Sequence, residues 1–195
     1  EIRLSLVGSE MCIRDRYKCS PDAWAQMCIQ LAFYKMFGHP CATYEAAQTR
    51  KFKLGRTETI RSCSLESLAF CQAMQDTNAT DAERYEKFQA AVTQHVKNAK
   101  EAAEGAGVDR HLFGLKRLIQ QGEEPPALFR DPMNAQSGTW ILSTSQISSE
   151  VFDAWGFGEV TPKGFGVAYA IKNNALTFTI MCLKKVHSAS RFTFF

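Results

Sequence analysis

The sequence has no Cys-x-x-Cys pair and no histidine cluster at zinc spacing, so the common zinc and dithiol designs are excluded and no metal is expected. No stretch approaches the ~18 apolar residues that a membrane-crossing helix requires, and the mean hydropathy is negative, so a soluble chain is expected. An excess of one charge is missing too. The 23 Lys and Arg nearly balance the 20 Asp and Glu, and a net charge of +3 is too small to make nucleic acid the default partner. Neither a P-loop nor a dinucleotide fingerprint is present, nor a serine nucleophile elbow or a Cys/His pair.

What the chain does have is core material. Its 195 residues are 45% hydrophobic and include 14 Phe, 5 Tyr and 3 Trp, enough for one core of ordinary size. The seven cysteines, at 12, 19, 28, 41, 63, 71 and 182, are an odd set. They read as reduced thiols of an intracellular compartment, mostly small core residues.

Residues 1–16 show no sustained period and carry too short an apolar stretch for a secretory signal. They resemble the translated adapter or vector sequence that often heads chains assembled from transcript reads, so the fold is expected to occupy 17–195. The tail, Arg191 to Phe195, ends in a hydrophobic run with no peroxisomal Ser-Lys-Leu signal. Both ends look cut, and a fragment is expected.

Between them the pattern alternates from helical to extended. Ser20-Pro21-Asp22 predicts a helix start, and Trp24, Met27, Cys28, Leu31, Tyr34 and Met36–Phe37 continue it to Gly38-His39-Pro40. The segment 43–59 is polar and basic without a clear period, which predicts an irregular loop or a short strand. Residues 61–75 read as a second helix with Leu65, Leu68, Ala69 and Met74 on one face. Thr80 and Glu83 form a capping box for a third, striped by Tyr85, Phe88, Val92, Val96, Ala99 and Ala103, and a fourth runs over about 109–121. Then 139–144, 166–171 and 175–182 are β-branched and aromatic runs, the last two joined by a turn at 172–174. The fold class expected is α/β: a mixed β-sheet flanked by helices.

Several clusters could carry chemistry, each with a plainer alternative. Ser143-Thr144-Ser145-Gln146 puts short donors at a strand end, where they could meet an oxyanion or simply form a turn. Tyr44, Glu45, Arg50, Arg56 and Thr57 could bind an anion or form a solvated basic loop. Asp109-Arg110-His111 opens a helix, where Arg110 could fork onto a carboxylate or stay a surface charge. Of His39, His95, His111 and His187, none is well placed as a general base; His111 is the best of them, and a helix-entry histidine is more often structural. From the residues alone the chain is a ligand-binding α/β domain.

A set of motifs in fixed order says more. Ser20-Pro21-Asp22, Gln30-Leu31-Ala32-Phe33-Tyr34, Cys41-Ala42-Thr43-Tyr44-Glu45-Ala46-Ala47 and Gly55-Arg56-Thr57-Glu58-Thr59-Ile60-Arg61 are followed by Asp109-Arg110-His111-Leu112-Phe113-Gly114-Leu115-Lys116, Leu142-Ser143-Thr144-Ser145-Gln146, Phe157-Gly158-Glu159-Val160 and Gly164-Phe165-Gly166-Val167-Ala168-Tyr169. Together, over about 18–192, they resemble the C-terminal half of the choline/carnitine acyltransferases. The resemblance implies a CoA-dependent acyltransferase-like domain, one of two α/β domains around a tunnel. It further implies reversible acyl transfer between coenzyme A, a cosubstrate rather than a bound cofactor, and the hydroxyl of carnitine.

By position in those motifs, Tyr44, Thr57 and Arg110 are expected to hold the carnitine carboxylate, and Phe157 to face its trimethylammonium group. Ser143 is expected to bind the carnitine oxygens and the oxyanion, with Ser145 and Gln146 completing the motif. Asp22, Glu45 and Gln146 are expected coenzyme A contacts. Trp155 stands where long-chain relatives have glycine, which implies a closed acyl channel and an acetyl-sized group. Choline lacks a carboxylate, so Thr57 and Arg110 favour carnitine over the choline-using branch. The family's general-base histidine belongs to the other domain, so the chain alone is expected to be inactive, a fragment of the enzyme or a non-catalytic carnitine-binding module. Mitochondria or peroxisomes are the compartments the resemblance implies.

Overall fold

In a computed structural model, residues 3–7, 17–173 and 175–184 are described, and they form the expected α/β architecture. The elements in order are β1 (Arg3–Val7), α1 (Pro21–Phe37), β2 (Thr43–Gln48), β3 (Thr57–Ile60), α2 (Leu65–Gln75), α3 (Asp81–Ala103), α4 (Asp109–Arg117), α5 (Ala127–Arg130), α6 (Pro132–Ser137), β4 (Leu142–Gln146), β5 (Phe165–Ile171) and β6 (Ala175–Met181). The six strands make one mixed sheet in the order β1-β6-β5-β4-β2-β3. Strand β4 runs parallel to both β2 and β5, and the remaining pairs are antiparallel. Such parallel pairs need long crossovers. Here the β2-to-β4 crossover carries α2 to α6.

Helix α1 is the hinge of the packing. The Ser20 hydroxyl accepts from the Ala23 N–H, Pro21 opens the first turn and the Gly38 N–H closes the last on the Tyr34 carbonyl. Ala25, Ile29 and Phe33 pack on Leu142, Phe165, Val167, Tyr169, Leu176 and Phe178 of the sheet. The opposite side of the same helix, with Ala23 and Met27, meets Phe70 and Cys71 of α2 and Phe88, Ala91 and Val92 of α3. A helix covered on both sides has no single apolar stripe. The predicted one is therefore corrected: Ala23, Ala25, Gln26, Ile29 and Gln30 are buried, while Met36 is exposed.

The other helices shift in the same way. In α2 the buried residues are Ser67, Phe70 and Cys71, and Leu65 is 81% exposed. In α3 the buried line is Phe88, Ala91, Val92, His95 and Ala102, while Tyr85 and Val96 face solvent. The expected capping box closes at Thr80 with Glu83, and a second forms at Ser64 with Ser67.

The largest change concerns 43–59, where the structure has an antiparallel pair, β2 with β3. Its inward positions are polar: Thr43, Glu45 and Glu58 are buried beside Ala47 and Ile60. Each is met by a polar partner, so the strand carries no apolar alternation to read. Strand β4 begins three residues later than expected and extends through Gln146. Arg3–Val7, in the segment set outside the fold, pairs its backbone with β6, from Arg3 opposite Thr179 to Val7 opposite Ala175. For those five residues the expectation does not hold, because β6 offers an edge whose backbone groups need partners. The expectations for Cys12, His187 and the tail fall outside the described residues.

The six described cysteines are free thiols, and burial pushes Cys28 up to about 11 and Cys41 and Cys71 to about 12. Phe88, in edge-on contact with Trp24 and Phe70, ties the three helices together. Phe88→Ala should cost about 3 kcal/mol, read as a lower urea midpoint with an unchanged slope; a loss under about 1 kcal/mol would mean that this cluster is not a core.

Candidate functional site

Strand alternation splits the sheet into two faces with different chemistry. One row crosses it through Tyr44 of β2, Ser143 of β4, Gly166 of β5 and Met181 of β6, each the register partner of the next. These residues point away from the α1 core. The loop of Trp155, Gly156, Phe157 and Gly158 lies on that face: a Cβ at Gly166 would sit 2.3 Å from the Phe157 carbonyl oxygen and 2.7 Å from that of Gly158. Only glycine admits the loop there. Two strand spacings, roughly 10 Å, separate β5 from β2, so the Phe157 end of the row and the Tyr44 end could face opposite ends of one small molecule.

At the Tyr44 end, β2, β3 and α4 bring three side chains together. Arg110 donates from Nη2 to the Tyr44 hydroxyl and to Thr57 Oγ1, both at 3.0 Å, and from Nε to the Thr57 carbonyl at 3.0 Å. Its guanidinium also lies 5.8 Å from the centre of the Tyr44 ring. None of the described ion pairs uses the Arg110 side chain. A cation among neutral hydroxyls is suited to an incoming carboxylate.

The placement of Arg110 rests on an unusual helix start. Helix α4 has no local side-chain cap. Glu58 of β3 substitutes for it: both carboxylate oxygens accept from the Arg110 backbone N–H at 3.3 Å, and one accepts from the Thr59 N–H at 2.6 Å. An anion at a helix N-terminus is favourable. Gly107 is required by that approach, because a Cβ there would come within 2.4 Å of Glu58 Cγ.

Ser143 is buried beside Tyr44, Ser145 follows on the same face half-buried, and Gln146 is exposed with its amide donating to Ser148 Oγ at 2.7 Å. Trp155 stacks on Phe157 with ring centres 5.8 Å apart and donates from Nε1 to the Tyr169 carbonyl at 3.3 Å. The structure thus gathers Tyr44, Thr57, Arg110, Ser143, Phe157 and Trp155 on one side.

Asp22 and Glu45 are not with them. Glu45 is only 4% exposed, and alternation turns it to the helix face, where it accepts from Ser62 Oγ and pairs with His95 Nε2, both at 2.7 Å. Those two bonds turn Glu45 away from the Tyr44–Ser143 row. Asp22 accepts from the Tyr169 hydroxyl at 2.6 Å, and that hydroxyl accepts from Gln26, which also donates to Thr144. This buried network was missed in the sequence. Its signal was His95, three residues past Val92 on the buried line of α3 and polar where an apolar residue was sought.

Donor atoms of Asp22, Glu45 and His95 lie within 4.8 Å of one another. A metal would have to displace the Glu45–His95 bond, so the set reads as proton-sharing. His39 bonds the Pro40 carbonyl at the end of α1, and His111 is exposed on α4. Neither they nor His95 stand on the Tyr44–Ser143 row.

With the geometry in view, similarity to known proteins is decisive. A sequence profile described as Choline/Carnitine o-acyltransferase matches residues 3–194. The chain belongs to this family. It is 44% identical over 167 residues to the mitochondrial carnitine O-acetyltransferase of Saccharomyces cerevisiae, covering 85% of the chain and 25% of that protein. It is 42% identical over 164 residues to human carnitine O-acetyltransferase, covering 84% of the chain and 26% of the relative. The peroxisomal carnitine O-octanoyltransferase of Mus musculus is 39% identical over 169 residues, with 83% and 27% covered. The chain therefore spans about a quarter of the length of the curated relatives it matches. Family members with both acetyl and octanoyl in their names share the segment, so the segment alone does not separate them.

The buried pair gives this acyltransferase segment a pH signature. Burial pushes His95 down, but the bond to Glu45 and the charges of Glu45 and Asp22 outweigh it, and the net shift is upward. Burial raises Glu45 as well, opposed by His95 and Ser62. Both groups hold protons more tightly folded than unfolded, so the stability contributed by His95 is fully present below the ordinary histidine value of about 6.5 and is lost as pH rises past it, while that of Glu45 is lost from lower pH upward. Urea midpoints measured from pH 6 to 7.5, below the range in which unfolded thiols titrate, should decline in the parent and much less in His95→Gln. Equal declines would remove the pair as the cause.

Proposed function

We propose that this chain is the carnitine-binding part of an enzyme that moves a short acyl group, acetyl first, between coenzyme A and the carnitine hydroxyl. The observation that carries this reading is the convergence of Tyr44, Thr57 and Arg110 at one end of the row that holds Ser143. Carnitine is a zwitterion. Its carboxylate would take Arg110 Nη1 and the two hydroxyls, while its trimethylammonium would rest near Phe157, where cation-π attraction contributes about 1 kcal/mol or more once water is excluded.

Ser143, between those ends, would hold the carnitine oxygens and the developing oxyanion, with Ser145 beside it. Preorganised donors act there without reorientation during the reaction. Coenzyme A is the cosubstrate, with exposed Gln146 and half-buried Asp22 its candidate contacts in this segment. Glu45 is not proposed for that role. The proton from carnitine or coenzyme A requires a base that this row does not contain, so we assign it to a part of the enzyme outside these residues. Among the described residues no helix is long and apolar enough to cross a membrane. Relatives with mitochondrial and with peroxisomal in their names support either compartment for the enzyme.

A chimera in which this chain replaces the matching segment of the yeast enzyme tests the reading. It should transfer acetyl groups to carnitine. Arg110→Asn in that chimera should raise the carnitine KM about a hundredfold, because a charge-assisted bond worth about 2–3 kcal/mol is lost, and spare the acetyl-CoA KM. An unchanged carnitine KM would reject the assignment and favour the choline-using reading.

Acyl length is proposed from Trp155, whose indole lies on the loop over the sheet. Trp155→Gly in the same chimera should raise octanoyl relative to acetyl transfer by at least about tenfold. No change in that ratio would show that the indole does not close the acyl channel.

A further inference from the structure

Tyr44 is half-buried and Arg110 exposed, and one hydrogen bond of 3.0 Å joins them, so their relative placement also depends on what each is packed against. Arg61, just past the end of β3, contacts the supports of both. Its guanidinium donates from Nε and Nη2 to the two carboxylate oxygens of Asp109, at 3.0 and 2.7 Å, and from Nη1 to the Ser137 carbonyl at 3.0 Å. Asp109 directly precedes Arg110 on α4. The other side of the connection is aromatic: Arg61 Cζ stands 4.8 Å from the centre of the Trp140 ring, and that ring meets the Tyr44 ring edge-on at 5.6 Å and 65°. One arginine thus touches the neighbour of Arg110 and the neighbour of Tyr44.

Resting on the carnitine reading, we propose that Arg61 and Trp140 form a brace that fixes the distance between Tyr44 and Arg110. They set affinity for the substrate carboxylate without touching it. Arg61 does not bind the carboxylate itself, because its fork is already filled by Asp109, with an Asp109 side chain only 14% exposed. A fork of this shape cannot be replaced by a point charge. Lysine at 61 would keep the charge and one contact to Asp109 but lose the second bond, the Ser137 contact and the flat face on Trp140. Trp140 matters as a ring, so phenylalanine should substitute and alanine should not.

The test uses the yeast chimera, with its unmutated form as reference. Arg61→Lys and Trp140→Ala should each raise the carnitine KM about tenfold, with the acetyl-CoA KM and kcat within about twofold, and Trp140→Phe should restore the parent value. A purely structural role would lower the active fraction and leave both KM values alone, and that result would overturn the brace. Carnitine turnover by the parent with an unchanged carnitine KM in Arg61→Lys would also overturn the brace but leave the functional reading standing. Loss of carnitine use by the parent would overturn both.

A second measurement needs no turnover. In the 195-residue chain, the Arg110 Nε–H that donates to the Thr57 carbonyl should be protected from solvent exchange and lose at least about tenfold of that protection in Arg61→Lys. Unchanged protection would overturn the brace.

Discussion

The structure depends on one guanidinium whose hydrogen-bond partners among the described residues are all neutral. Arg110 spends its side-chain donors on a phenol, a threonine hydroxyl and a carbonyl, all neutral, while the nearby carboxylates are engaged elsewhere: Glu58 by backbone N–H groups and Asp109 by Arg61. A positive charge kept among neutral acceptors holds its affinity for an anion in reserve. In the proposed function this division of labour would make three otherwise ordinary residues a carboxylate receptor, with Glu58 capping α4 from another element.

The rest of the fold can be read as support for that arrangement. Parallel pairing of β4 with β2 and β5 puts Tyr44, Ser143 and Gly166 in one line, and the missing side chain at Gly166 lets the Phe157 loop settle over it. Behind the same strands, Thr144 donates to the Tyr44 carbonyl at 2.8 Å and receives from Gln26, while Glu45 is held by Ser62 and His95. The reactive face carries small residues and hydroxyls, and the buried face carries a hydrogen-bonded network that stiffens β2. In the proposed function, substrate recognition and strand stability fall to alternate residues of one strand.

The legible parts of this plan were those set by local rules. Caps at Ser20 and Thr80, the Gly105 stop and the β5–β6 hairpin all follow from neighbouring residues, and the structure has them. Tyr44, Thr57, Arg110 and Ser143 were legible only through the order of motifs, since each taken singly suits a surface loop or a turn. The unreadable parts were those where a polar residue takes an inward position. Glu45 was expected at the coenzyme and His95 was given no role, because a buried carboxylate is explicable only when its partner, 50 residues away in sequence, is known. Strands β2 and β3 were blurred for the same reason, and the two-sided burial of α1 hid its true stripe.

The most direct test of the central claim is a crystal structure of the yeast chimera with L-carnitine bound. The account predicts the carboxylate within hydrogen-bond distance of Tyr44 Oη, Thr57 Oγ1 and the Arg110 guanidinium, and the methylated nitrogen over the Phe157 ring. Carnitine lying with its carboxylate away from Arg110, or on the α1 side of the sheet, would contradict it.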